Sequence, residues 1–196
     1  MTETPPQAKD VLSFWLDEVG PKGWFVADQA VDETCRERFG DLVELALAGG
    51  LEEWERRPET AMALLILLDQ FPRNLFREQA RAFAGDPRAL EVAKRSVEAG
   101  FDLATPLPGR CFFYMPFEHS EDLADQDRSV ALFRERATGD ARYETWVEHV
   151  EKHRDLIRRF GRFPHRNAAL GRENTPEEIE HLQSGGYAPG ARPAKT

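Results

Sequence analysis

The sequence predicts an all-α protein folded as a single domain. Long segments repeat apolar residues at helical steps of three and four, and glycine and proline punctuate their ends. No stretch alternates apolar and polar positions with the β-branched enrichment of a strand. At 196 residues, 41% apolar and 31% charged, the chain is long enough to bury a core of its own.

The elements follow in order. Val11, Trp15 and Val19 share a face at steps of four, and Gly20-Pro21 closes that helix. Val31, Cys35, Phe39, Leu42 and Leu45 form a second apolar stripe, closed by Gly49-Gly50. A third helix is predicted from Pro58 to Phe71; it is apolar nearly all round through Leu68, which places it at the centre. Asp86 reads as an N-cap, Pro87 suits the first helical position and Gly100 the left-handed C-cap. Ser120 is the expected cap of a helix reaching Ala137. Tyr143, Trp146 or Val147, Val150, Leu156 and Phe160 mark a long helix ending at Gly161. Thr175-Pro176-Glu177-Glu178 reads as a capping box opening a last helix that stops near Ser184-Gly185-Gly186. Residues 1–186 form the expected domain. Residues 187–196, with Pro189, Gly190 and Pro193, have nothing to bury and are expected to be a flexible tail.

Composition narrows the function classes. A net charge of −9 argues against a nucleic-acid or membrane-surface binder. The longest apolar run, Ala61 to Leu68, falls far short of the ~20 residues that span a bilayer. Met-Thr-Glu-Thr-Pro-Pro has neither the positive region nor the apolar stretch of a signal peptide, and Cys35 and Cys111 are too few for a disulfide scaffold. A reduced, cytoplasmic location is the expectation. The sequence carries no glycine-rich phosphate loop, dinucleotide fingerprint, nucleophile elbow or paired Cys-x-x-Cys, so no cofactor is expected.

Three segments break the amphipathic pattern with dense polar residues. Asp69-Gln70-Phe71-Pro72-Arg73-Asn74 follows directly on the most apolar helix. Its bland reading has Pro72 ending the helix, Asp69 pairing with Arg73 and Asn74 capping the next helix. Phe112 to Glu121 runs from aromatics into Glu118-His119-Ser120-Glu121, where an imidazole among carboxylates can act as base, ligand or hydrogen-bond hub. The alternative there is a buried aromatic stretch followed by an N-cap, with Glu121 favoured by the helix dipole. The third, Arg158 to Asn167, lies in a basic island: Lys152 to Arg172 holds seven Lys or Arg and one Asp. Such an island either pairs with the protein's own carboxylates or holds an anion by bidentate guanidinium contacts. His149 and His153, four apart, could reach one metal, but Lys152 beside them and the lack of a third ligand nearby argue against it.

Leu67 to Asn74, Phe113 to Glu121 and Arg159 to Asn167, followed by Leu-Gly-Arg (170–172) and Thr-Pro-Glu-Glu (175–178), resemble the family known as domain of unknown function 924. The resemblance runs from about Val11 to Leu182. It implies a helical-pair array similar to a tetratricopeptide-like superhelix and brings no settled activity. The motif positions it marks are Asp69, Gln70, Arg73, Asn74, His119, Ser120, Glu121, Gln126, His153, Arg162, His165, Arg166 and Asn167, which become the candidate ligand-binding residues.

Two functions fit these residues. One is a binding module with a polar pocket for a small anionic molecule or a peptide. The other is an enzyme with His119 or His165 as acid or base and Arg162 or Arg166 holding an anionic substrate. A purely structural role for these polar residues is the third alternative, and chemical complementarity predicts that the three segments meet in space, Asp69 and Glu121 against Arg162, Arg166, His119 and His165.

Overall fold

The computed structural model describes residues 3–189, whose regular elements are all helical, with no strand among them. The first helix, α1 (Pro6–Ser13), passes into a wider π turn over Phe14–Val19 and buries Ala8, Val11, Phe14 and Trp15. Gly20 closes it at φ 62°, and the one-turn α2 (Gly20–Gly23) follows. Asp28 caps α3 (Gln29–Leu47) by accepting from the Ala30 and Val31 N–H groups. The buried face of α3 is Cys35, Phe39, Val43 and Ala46. The predicted stripe through Leu45 is corrected: steps of four and then three keep Ala46 on the core, and Leu45 is exposed.

The central helix runs as α4 (Pro58–Leu65), a π turn over Ile66–Gln70 and α5 (Phe71–Leu75). Every residue from Ala61 to Pro72 is buried, as the all-round apolar pattern requires. Pro72 does not end this helix. A proline ring collides with the carbonyl four residues back, here Leu68, and the π turn opens the backbone at that place. The Leu68 carbonyl is met by Gly85: a Cβ on that glycine would stand 2.1 Å from the oxygen.

Gly85 leads into α6 (Asp86–Glu98), so Asp86 is its first helical residue and provides no N-cap hydrogen bond. After the buried turn Gly109–Phe113 comes the short α7 (Met115–Glu118). The cap of α8 (Leu123–Arg136) is Asp122, which accepts from the Ala124 N–H at 2.8 Å. Ser120, the predicted cap, stands two residues ahead of it. Then α9 (Tyr143–Phe160) lies antiparallel on α8, joining Phe133 to Trp146, Arg134 to Glu151 and Asp127 to Arg154, and ends at Gly161 with φ 69°. Finally α10 (Pro176–Gln183) opens with the predicted capping box, Thr175 and Glu178 bonding reciprocally.

One apolar cluster extends from Ala8 to Val150, with Phe14, Phe39, Phe71, Trp15, Phe112 and Trp24 in aromatic contact. A smaller cluster of Leu156, Ile157 and Phe163 is covered by Phe160 and Tyr187. Tyr187, read from sequence as tail, therefore has a surface to pack on. Gly190 to Thr196, including Pro193, lie outside the described residues.

Candidate functional site

The π turn in the central helix turns a carboxylate inward. Asp69 is buried at the end of an apolar run, and three neighbours hold its charge: His119 Nδ1 at 2.6 Å, Gln70 Nε2 at 2.5 Å and Arg73 Nη1 at 3.2 Å. Burial alone would raise the Asp69 carboxyl, but Arg73 and His119 beside it hold it well below the usual carboxylate range. The contact to an ionised carboxylate places the proton on His119 Nδ1 and leaves Nε2 to exchange protons. His119 keeps 16% of its side chain exposed. That makes it the accessible member of the pair.

Arg73 reaches onward to Asp86, at 3.0 Å from Oδ1, and Arg166 Nη1 lies 3.2 Å from Asp86 Oδ2. Two guanidinium groups thus share one carboxylate. Arg166 is buried, its guanidinium carbon 4.7 Å from the Phe83 ring centroid and 4.4 Å from that of Phe163. Burial pushes the Arg166 side chain down to about 10, with Arg73 adding repulsion. Its one hydrogen bond goes to Asp86, and its Nε has no partner among the described residues. His165 Nδ1 is likewise buried and unpartnered. Burial, then Arg166 and His153, push the His165 imidazole down to about 3, so it is neutral.

A second histidine–carboxylate pair backs the first. His153 Nδ1 lies 2.9 Å from Glu118 Oε1 and 2.9 Å from the His149 carbonyl, and the His119 and His153 ring centroids are 6.3 Å apart. Burial would raise the Glu118 carboxyl, but His153 and His119 hold it below its usual range. Tyr187 closes over this pair, its hydroxyl 2.9 Å from His149 Nδ1 and 3.3 Å from His153 Nδ1. Gln126, fully buried, donates to the Glu118 and Ser120 carbonyls at 2.6 and 2.7 Å and fixes the loop that carries His119. Ser120 Oγ donates to Asp125. Glu121 accepts from Arg172 at 2.7 Å and from the Phe163 N–H at 2.8 Å, tying the second segment to the third.

The three segments therefore meet, through Asp69–His119, Arg73–Asp86–Arg166 and Glu121–Phe163. Three candidates stand apart. Asn74 donates to Asp32 at 2.8 Å and caps no helix. Arg162 makes a bidentate pair with Glu178 at 2.7 and 2.8 Å. Asn167 donates to Asn174 and Glu178, serving the same α10 capping box. All seven basic residues of the island have carboxylate partners: Lys152 with Glu148, Arg154 and Arg158 with Asp127, Arg159 with Glu177, Arg162 with Glu178, Arg166 with Asp86 and Arg172 with Glu121. The sequence candidates leave out Asp86, Phe83, Glu118 and Arg172, although the last two stand within the motifs. Asp86 looked like a cap, and its other neighbours lie too far along the chain to signal a pairing. Among the described residues, no group of three His, Cys, Asp or Glu is arranged to hold a metal ion. No helix among them is long and apolar enough to cross a membrane.

No curated protein matches the chain. A solved structure, that of a protein of unknown function, ATU0120, from Agrobacterium tumefaciens, is similar with a TM-score of 0.84 and 43% identity, covering 91% of this chain and 97% of that one. The model of a family described as bacterial protein of unknown function, DUF924, matches residues 11–186. The chain belongs to the DUF924 family of bacterial proteins.

Proposed function

We propose that this protein binds a small oxyanion, a carboxylate or a phosphate group, at the cluster where the three segments meet. One observation carries the reading: Arg166 is buried between two phenyl rings with an unpartnered Nε, and its one hydrogen bond is to a carboxylate it shares with Arg73. A guanidinium has five N–H donors, and a buried donor left without an acceptor costs ~1–3 kcal/mol. An oxyanion in reach of Arg166 would supply the missing acceptors. A peptide is the less suited ligand, because the polar groups gather inside the helices and not along an apolar groove.

The test is calorimetric titration with sulfate and with acetate, for wild type and Arg166→Met. Loss of a charge-assisted arginine contact should weaken binding by ~1.5–3 kcal/mol, roughly tenfold to a hundredfold. Retained helical circular dichroism in the variant separates lost binding from lost folding. If neither anion binds the wild type, Arg166 is a structural ion-pair partner and the reading fails.

A second reading, acid–base catalysis, is favoured by the 2.6 Å contact of Asp69 with His119. A carboxylate behind an imidazole fixes its tautomer and steadies its protonated form, as a general base requires. Asp69→Asn would then depress turnover far more than anion affinity.

A further inference from the structure

Resting on the anion-binding reading, the charges of the cluster decide what must accompany the anion. Three buried or largely buried carboxylates, Asp69, Asp86 and Glu118, face two guanidinium groups, Arg73 and Arg166. With neutral imidazoles this group already carries one excess negative charge. An entering anion would add a second, in surroundings where unpaired charge is expensive. Glu121 is matched separately by Arg172, and Asp125 by Lys94, so neither alters the balance.

We propose that the site takes up its oxyanion together with a proton, and that His119 accepts that proton on Nε2. Of the three imidazoles, His165 is partly exposed, but it lies beside Arg166, with Arg73 also repelling charge on it, and cannot serve. His153 is enclosed beneath Tyr187, with His149 next to it and Glu118 across it. His119 keeps part of its side chain exposed and has the Asp69 carboxylate against its Nδ1, with no guanidinium pressed on it as on His165. Four elements face it: the π turn offers Asp69, α5 Arg73, α9 His153, and the 164–166 turn the neutral His165 and Arg166. On its own segment Glu118 adds a further negative field. Protonated His119 remains paired to Asp69 through Nδ1 and gains a second N–H donor on Nε2, which is the chemistry an oxyanion needs. The proton comes from solvent, and no covalent bond changes. The ligand class is accordingly a small carboxylate or phosphate-like oxyanion bound with one proton, and not an extended polyanion.

Proton linkage makes this measurable. Acetate and sulfate do not titrate between about pH 5.5 and 8.5, so any pH dependence of their binding belongs to the protein. Acetate represents a carboxylate ligand and sulfate a phosphate. Affinity for the preferred anion should fall about tenfold per pH unit above the imidazole range, and calorimetry in buffers of different ionisation enthalpy should register about one proton taken up per anion. His119→Gln, whose amide can still donate to Asp69, should remove both the slope and the uptake; His153→Gln should keep them. Binding without a pH slope, or a slope lost in His153→Gln and kept in His119→Gln, overturns the assignment while leaving anion binding in place. Failure of both anions to bind wild type removes the anion reading itself.

Discussion

Asp86 owes its position to a residue that can have no side chain. The Leu68 carbonyl, four residues before Pro72, where the proline ring must be accommodated, lies against Gly85, and Gly85 sets the entry of α6, whose first residue is Asp86. Asp86 then meets Arg73 and Arg166. Gly85→Ala forces a Cβ into the space 2.1 Å from a backbone oxygen, which cannot yield as a flexible side chain could. The expected cost is about 1–3 kcal/mol, read from urea unfolding. Gly40, inside α3 with nothing near its missing Cβ, is the control: Gly40→Ala should stabilise by ~0.5–1 kcal/mol. Equal effects at the two positions would remove the Gly85 argument. At this scale the sequence was legible in part. Asp69, Arg73, His119, Glu121 and Arg166 were identifiable because polar residues stood out beside apolar ones. Asp86 was not, since an acidic residue at a helix start has a local explanation that masks a distant partner, and Glu118 stood in a singled-out segment with nothing in sequence to name His153 as its partner.

Each helix is fixed by its pattern, and its ends by particular side chains. The segment from Ser120 to Asp125 shows how closely two cap candidates compete. Both Ser120 and Asp122 precede the apolar-periodic residues of α8, and Asp122 has the extended backbone, φ −98° and ψ 129°, that aims its oxygen at the Ala124 and Asp125 N–H groups. Asp122→Ala should cost about 0.5–2 kcal/mol in thermal or urea unfolding. Ser120→Ala removes the links to Asp125 and to the Asp122 N–H, neither of them to a helical N–H left without a cap, and should cost less. The reverse order would make Ser120 the working cap. Helix positions and the caps at Thr175, Gly100 and Gly161 were legible because they rest on neighbours in sequence. The π turns at Phe14–Val19 and Ile66–Gln70 were not. An added residue in a turn barely disturbs an apolar pattern, and at Ile66–Gln70, apolar nearly all round, there is no face to shift.

On the scale of the whole molecule, stability is tied to groups whose protonation the fold resists. His165, ordinarily at 6.5, is pushed down to about 3, burial being the main cause and Arg166 the next. The unfolded chain therefore binds this proton first, and stability declines as pH falls from about 6.5. Glu178, ordinarily at 4.5, is held down to about 2 by its hydrogen bonds from Arg162 and then from the Thr175 N–H. Its contribution is complete above 4.5 and is lost as pH falls toward about 2. Asp69, Glu118 and Glu121, all lowered in the folded state, act in the same direction as Glu178. The acid limb should thus have two stages, an imidazole stage followed by a carboxylate stage. His165→Gln, which keeps a polar group without a titratable one, should flatten the first stage and leave the second. Glu178→Gln should be less stable than wild type near neutral pH, with the difference closing as pH drops through 4.5. Urea unfolding at closely spaced pH values between about 3 and 8 checks both. A wild-type stability that stays flat until the carboxylates titrate would mean that His165 can take up its proton in the folded protein. Water would then already reach the Arg166 side of the cluster in the unliganded protein and would partner the buried His165 Nδ1.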